Sequence, residues 1–291
     1  MKLKFKNNKF RIVQLTDIHI GSSPFDSKDI QTFNLIDNIL DKLEADLVMI
    51  TGDMVWNGID NFEEVFEYLL RKLNRKDIYV AMTPGNHDNE ENPGRSKTRQ
   101  MFEDIIVNKV DKIHSTIIED RESYVIEIYN EDSIANVIYV FDSGEICPLG
   151  ISKYDFIKPS QVEWFNKVSL NYKREKSIKK DLVFMHIPLP EYWQGASNII
   201  SGVCLETNDM ISSPYINTGL FTSLLLNKNI YGVFCGHDHD NNFDSILYDT
   251  HLVFGNVTGY NCYGELPRGC RVIDLHKDNV KTYIKVDKDF E

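Results

Sequence analysis

Five short apolar runs in this chain end in residues able to bind a metal ion, and no other feature limits its fold as tightly. They read RIVQLTDIH, LVMITGD, IYVAMTPGNHD, LVFMH and GVFCGHDH. Runs rich in Val, Ile and Phe at 10–15, 47–50, 78–82, 137–141, 182–185 and 231–235 have the near-continuous apolar character of strands buried on both faces. Between them, Ile36, Ile39, Leu40 and Leu43, and again Phe62, Val65, Phe66, Leu69, Leu70 and Leu73, recur at the spacing of an amphipathic helix. A third helix is expected to start near Pro159 and Ser160 with Val162, Phe165 and Val168 inward, because proline suits a first helical turn. Strands alternating with helices predict an α/β layered fold. In such a sheet, functional groups gather at the carboxyl ends of the strands, so five endings of this kind point to one crevice.

Each ending has an ordinary explanation when taken alone. Asp17 and His19 lie two apart, on one face of an extended strand, but an aspartate in a turn beside a surface histidine looks the same. Gly52 and Asp53 form a common turn pair. His186, after four apolar residues, resembles a satisfied core histidine. The run Gly85, Asn86, His87, Asp88 is more specific, since it offers an amide oxygen, an imidazole and a carboxylate able to fix that imidazole's tautomer. In the last ending His237 and His239 share a face, and Asp238, pointing the other way, reads as structural. Together Asp17, Asp53 and Asn86 supply oxygen, and His19, His186, His237 and His239 supply nitrogen. That is too many ligands for one ion; it suits two, of the iron, manganese or zinc kind. A shared carboxylate would hold them about 3.5–4 Å apart, the separation that clamps a phosphoryl group.

Composition narrows the class. With 32 Lys+Arg against 44 Asp+Glu, the net charge is -12, which argues against non-specific grip on nucleic acid or an anionic membrane. No apolar run approaches the roughly 18 residues of a membrane span. The start, MKLKFKNNKF, alternates polar and apolar residues as a strand does, and reads as neither a signal peptide nor an anchor. Cys147, Cys204, Cys235, Cys262 and Cys270 are odd in number and never spaced as CxxC, which fits a reducing cytoplasmic setting. No linker or repeat interrupts the chain, so one domain over 1–291 is expected, with its motifs in about 10–275. The stretch 188–218 has few periodic signals and reads as a long loop over the site. The tail from 252 to 286 reads as consecutive strands.

The ordered set DIH, GD, GNHD, a lone His186 and GHDH resembles the calcineurin-like metallophosphoesterase superfamily. MHIPLPEYW, INTGLFTSLL, VFCGHDHDNNF and PSQVEWF look like its small, single-domain purple-acid-phosphatase-like branch. The resemblance implies a four-layer α/β/β/α sandwich of two mixed sheets flanked by helices. It implies that Asp17, His19 and His239 hold a first ion, that Asn86, His186 and His237 hold a second, and that Asp53 bridges them. His87 matches the catalytic histidine and Asp88 its orienting partner.

The activity expected is hydrolysis of phosphomonoesters, small-molecule or protein, by a metal-activated hydroxide. The alternatives are a phosphodiesterase or nuclease, for which no basic, aromatic-interleaved stretch is visible, and a non-catalytic protein-binding scaffold, which would not need His87. The chain departs from the purple branch at one place: where that branch has a tyrosine ligand three residues after the GD aspartate, this chain has Trp56. An indole offers a metal no lone pair, so Trp56 is expected to pack beside the site. Arg95 and Arg99 are candidates for a phosphate contact, and Tyr192, Trp193, Tyr260 and Tyr263 for pocket walls. His251 is read as a surface or capping residue, and His114 and His276 as incidental.

Overall fold

The computed structural model describes residues 2–90, 93–172, 180–207 and 209–291. Among these residues, fourteen strands form two sheets. In chain order they are β1 (Leu3–Lys4), β2 (Lys9–Leu15), β3 (Leu47–Thr51), β4 (Tyr79–Thr83), β5 (Ile113–Ile118), β6 (Arg121–Asn130), β7 (Ser133–Phe141), β8 (Asp181–Phe184), β9 (Ile199–Ser201), β10 (Ile230–Cys235), β11 (Asp244–Leu247), β12 (Thr250–Phe254), β13 (Gly269–His276) and β14 (Val280–Val286). The smaller sheet runs β14-β13-β2-β3-β4, and the larger β1-β6-β7-β8-β10-β12-β11-β9 with β5 beside β6. Both are mixed: β2, β3 and β4 are parallel while β13 runs against β2, and β7, β8, β10 and β12 are parallel while β11 runs against β12.

Strand alternation sorts the apolar side chains into three cores. Ile12, Leu47, Met49, Leu182, Phe184 and Phe234 point into the space between the sheets. Their neighbours Val13, Val48 and Ile50 face outward, onto helices α1 (Ser27–Lys42), α2 (Phe62–Leu73) and α3 (Arg95–Ile105). Val183, Met185, Val233 and Cys235 face the opposite flank, under α4 (Pro159–Ser169), α5 (Tyr192–Gly195) and α6 (Leu220–Asn227). Three cores separate four layers, the α/β/β/α sandwich. The local signals behave as their chemistry requires. Asp26 caps α1 by accepting from the Lys28 and Asp29 N–H groups at 2.8 Å, and α4 opens on Pro159.

Three sequence expectations need correction. The amino-terminal alternation is divided between the sheets: β1 joins β6, and β2 joins β3 and β13. The stretch 188–218 is not a bare loop, since it contains α5 and the edge strand β9. In the tail, the chain leaves the sheet between β12 and β13, because Thr258 and Gly259 turn aside to donate to the Thr16 and Asp17 carbonyls at 3.0 Å. No helix among the described residues is long and apolar enough to cross a membrane.

Two polar side chains join the sheets near the end where the functional strands stop. The Gln14 amide donates to Thr51 Oγ1 at 2.8 Å and to the Cys235 carbonyl at 3.0 Å. Arg271 on β13 is fully buried and donates to the Phe254 and Asn242 carbonyls of the other sheet, both at 2.6 Å. Burial lowers its guanidinium to about 10, so part of the hydrogen-bond gain offsets desolvation. Arg271→Met should therefore leave two buried carbonyls unpaired and lower stability by roughly 3 kcal/mol, measured as a shift in the urea midpoint at unchanged m-value.

Candidate metal centre

The functional side chains stand just beyond the carboxyl ends of β2, β3, β4, β8 and β10, at the one edge where the two sheets meet. Reaching a common point from these strands requires sharp turns. Asp17, His19, Asp53 and His237 all take left-handed backbone angles, with φ of 53, 46, 51 and 81°. Such angles cost a non-glycine residue about 1–2 kcal/mol, and neighbouring loops hold them in place. The Ile18 and His19 N–H groups donate to the Asp53 carbonyl at 2.8 and 3.0 Å, and the His237 N–H donates to the Asp17 carboxylate at 3.0 Å. The loops also touch at Gly52 and Gly85. A Cβ on Gly85 would lie 2.1 Å from Asp53 Oδ1, and one on Gly52 would lie 2.5 Å from the Gly85 backbone, so neither position has room for a side chain.

Two groups of donor atoms result, Asp17, His19 and His239 in one and Asp53, His186 and His237 in the other. In the first, His19 Nε2 is 3.2 Å from His239 Nε2, which is 3.4 Å from Asp17 Oδ1. In the second, His186 Nε2 is 3.2 Å from His237 Nδ1 and 3.2 Å from Asn86 Oδ1. Asp53 Oδ2 stands between them, 3.6 Å from His19 Nε2 and 3.2 Å from His186 Nε2. Its other oxygen accepts the His87 N–H at 2.9 Å, which fixes the rotamer.

This arrangement fits metal ions. Pairs of imidazole nitrogens face each other at hydrogen-bond distance, an arrangement that a shared cation satisfies and a shared proton satisfies only in part. His186 Nδ1–H donates to the Thr51 carbonyl at 2.7 Å and His239 Nδ1–H to the Tyr263 carbonyl at 3.2 Å, which turns each Nε2 inward. Three oxygen and four nitrogen donors suit manganese, zinc or iron. The electrostatics agree. Burial alone would raise the Asp17 carboxyl, but His239 and His186 hold it at about 2, and the same effect of histidine neighbours keeps Asp53 well below its ordinary range. Burial pushes His19 down to about 3 and His237 well below its usual value. His186 rises to about 9 because Asp53 outweighs its burial, and Asp17 raises His239 in the same way. The carboxylates thus stay ionised at neutral pH and attract positive charge into a buried site.

The other expected residues separate into those near the site and those away from it. His87 is adjacent to the ligands, its ring 5.3 Å from that of His19. Asp88 does not orient it: its two oxygens accept from the Met54, Val55 and Gly85 N–H groups, tying the GD loop to the GNHD loop. His87 Nδ1 instead faces Asn57 Oδ1 at 3.1 Å and Glu90 Oε2 at 3.4 Å. Trp56 packs beside the site as expected, 4.3 Å from the His19 ring, and donates to the Asn261 carbonyl. Tyr263 stacks on His239 at 4.0 Å and forms a wall. Tyr192 is buried under the larger sheet with its hydroxyl on the Val233 carbonyl, Tyr260 turns toward Asp287, and Trp193 lies on the outer surface. Arg95 is paired with Asp142 and Glu145, and Arg99 with Asp120. His251 binds Asp244 and stacks on Tyr231, a structural role. Asp238 is structural as expected, accepting the Ser212 N–H. Asn57, Glu90 and Tyr154, whose ring meets His237 edge-on at 4.2 Å, were not legible in the sequence. Only Glu90, three residues past His87, carried a local signal.

A four-layer sandwich with two adjoining ligand groups at its strand ends defines a class of dinuclear metalloproteins. The family model of the calcineurin-like phosphoesterases matches residues 10–241, and the chain belongs to that family. It is 28% identical over 342 residues to the Arabidopsis thaliana protein named probable inactive purple acid phosphatase 29, covering 98% of this chain and 85% of that one. Its fold is similar to a dimetal phosphatase from Danio rerio, with a TM-score of 0.66 at 12% identity over 95% of this chain and 96% of the other. It is also similar to a purple acid phosphatase from yellow lupin seeds, with a TM-score of 0.63 at 11% identity over 98% of this chain and 53% of that one.

Because Asp53 lies between both groups, Asp53→Asn should weaken the two together, by at least the roughly 10–100-fold that even an outer-sphere change costs. Metal analysis after dialysis should show both ions falling in parallel. Loss of one ion with full retention of the other would place Asp53 in a single site.

Proposed function

We propose that this protein is a dinuclear metal-dependent phosphoesterase that hydrolyses phosphomonoesters. The observation that carries the reading is the position of Asp53 Oδ2 between two histidine groups, with His87 beside them and not among them. Asp17, His19 and His239 would hold one ion and Asn86, His186 and His237 a second, with Asp53 between them, and such ions would supply a nucleophile at neutral pH and the positive charge a phosphate requires. The protein's own residues do the rest. Asp53 Oδ1 accepts the His87 N–H, which holds Oδ2 turned between the two histidine groups. His87 carries a proton to the departing alkoxide. Trp56 and Tyr263 cover His19 and His239 and keep water from them. A cavity of about 460 Å³, lined by Asn57, Asn89, Glu90, Glu145 and Ile146, includes the two residues that face His87 and has room for a small leaving group.

Arg95 and Arg99 are neutralised by carboxylates, and no basic stripe crosses this face among the described residues, which favours a compact ester over a nucleic-acid backbone. A second reading, a non-catalytic scaffold, is favoured by the word inactive in the name of the Arabidopsis relative. Against it stands the complete donor set together with His87.

Metal-loaded protein should hydrolyse 4-nitrophenyl phosphate faster than the bis-ester. No hydrolysis of either at any pH would favour the scaffold, and preference for the bis-ester would favour a phosphodiesterase. His87→Ala should retain both ions and slow turnover by about 10²–10⁴-fold; equal loss of metal and activity would make His87 a ligand. With Trp56 at the position of the purple branch's tyrosine, the active protein should be colourless and use divalent ions. A tyrosinate-to-iron absorption band would overturn that expectation.

A further inference from the structure

The chain from Asn86 to Glu90 makes a single turn, in which the Asn89 and Glu90 N–H groups both donate to the Asn86 carbonyl, at 3.3 and 3.2 Å. Residues three apart in such a turn share a face, and this brings the Glu90 carboxylate back beneath the His87 ring, 3.4 Å from Nδ1. Asn57 approaches the same nitrogen, its Oδ1 at 3.1 Å. Asn57 comes from the GD loop and Glu90 from the GNHD loop, so the ring is gripped by both of the loops that Asp88 ties together. Glu90 also accepts a hydrogen bond from the Asn86 side chain, whose amide oxygen is turned to His186 Nε2. Its side chain is 15% exposed and that of His87 28%, so the contact is largely shielded from water.

We propose that Asn57 and Glu90 are the positioning residues of His87: two acceptors converge on Nδ1 and hold the proton there, so that the neutral ring carries its lone pair on Nε2. The proposal rests on the phosphoesterase reading for its consequence in turnover, but the placement of the proton is a property of the protein alone. Two acceptors facing Nδ1 admit one donor there, Nδ1–H, in the neutral ring. The protonated ring then offers its second proton from Nε2. The motif aspartate, Asp88, anchors loops instead, and the carboxylate that serves the ring lies two residues further along, assisted by an amide from another loop. Asn57 reaches the ring without touching Asn86, so its removal tests positioning apart from metal binding.

Two measurements on the zinc-loaded, full-length protein decide between these outcomes. Nitrogen-15 NMR of the neutral His87 ring should show Nδ1–H in the wild type and a mixture of both tautomers in the double variant Asn57→Ala, Glu90→Ala. A wild-type ring protonated at Nε2, or a tautomer unmoved by the substitutions, overturns the proposal. In turnover, Asn57→Ala should lower kcat about tenfold, a fraction of the whole contribution of an acid/base group, with KM within about twofold and both ions retained. The loss should be larger for an alkyl phosphate than for 4-nitrophenyl phosphate, because a poor leaving group depends more on the proton. Asn57→Asp, which keeps an acceptor, should recover most of it. In a His87→Ala background, Asn57→Ala should cost nothing further; an equal loss in both backgrounds overturns the proposal. If the wild type hydrolyses no ester, the phosphoesterase reading fails and the NMR result alone judges the positioning.

Discussion

One carboxylate oxygen, Asp53 Oδ2, lies within 3.6 Å of His19 and 3.2 Å of His186, and these ligands belong to different sheets. The need to keep that oxygen between the two accounts for much of the architecture. Strands β2, β3 and β4 of one sheet and β8 and β10 of the other must end at the same level. The polar ties between the sheets serve that alignment: the Gln14 amide reaches Cys235, and the buried Arg271 reaches Asn242 and Phe254. A slip of one sheet past the other would separate the ligand groups and also break these bonds.

Convergence is achieved against local preference. Four of the seven donor residues are non-glycine residues in left-handed geometry, a strain that tertiary contacts must maintain. Carboxylates that do not ligate help to maintain it. Asp88 receives three N–H groups, and Asp238 holds the segment around Ser212. Burial pushes these two carboxyls up, to about 6 and about 7, in contrast to Asp17 and Asp53, which histidines hold low. Acidic groups within one small region are thereby divided into those that stay charged for a cation and those that act as hydrogen-bond anchors.

The same division shows how a chain of net charge -12 could accept the phosphoester proposed for it. Its arginines near the site are already paired, and only two of the seven donors are carboxylates. On the proposed reading, attraction for an anionic ester would come from cations bound by these donors and not from side-chain charge.

The sequence by itself marked the parallel strands β2, β3, β4, β7, β8 and β10 by their apolar runs, and it named candidate donors, since five runs end in Asp, Asn or His, but β5, β6 and β9 carried no such signal. It also marked α1, α2 and α4 by their stripes, but not α3, α5 or α6. What it left open depends on which atoms meet across loops far apart in the chain. That Asp88 anchors two loops while Asn57 and Glu90 face His87 follows from the approach of the GD and GNHD loops at Gly52 and Gly85. That Tyr263 stands on His239 while Tyr192 is buried follows from where the chain leaves β12 and where α5 packs. Apolar periodicity is a local property written along each strand or helix, whereas a hydrogen-bond partner is chosen by distance in space, and only the packed sandwich sets that distance.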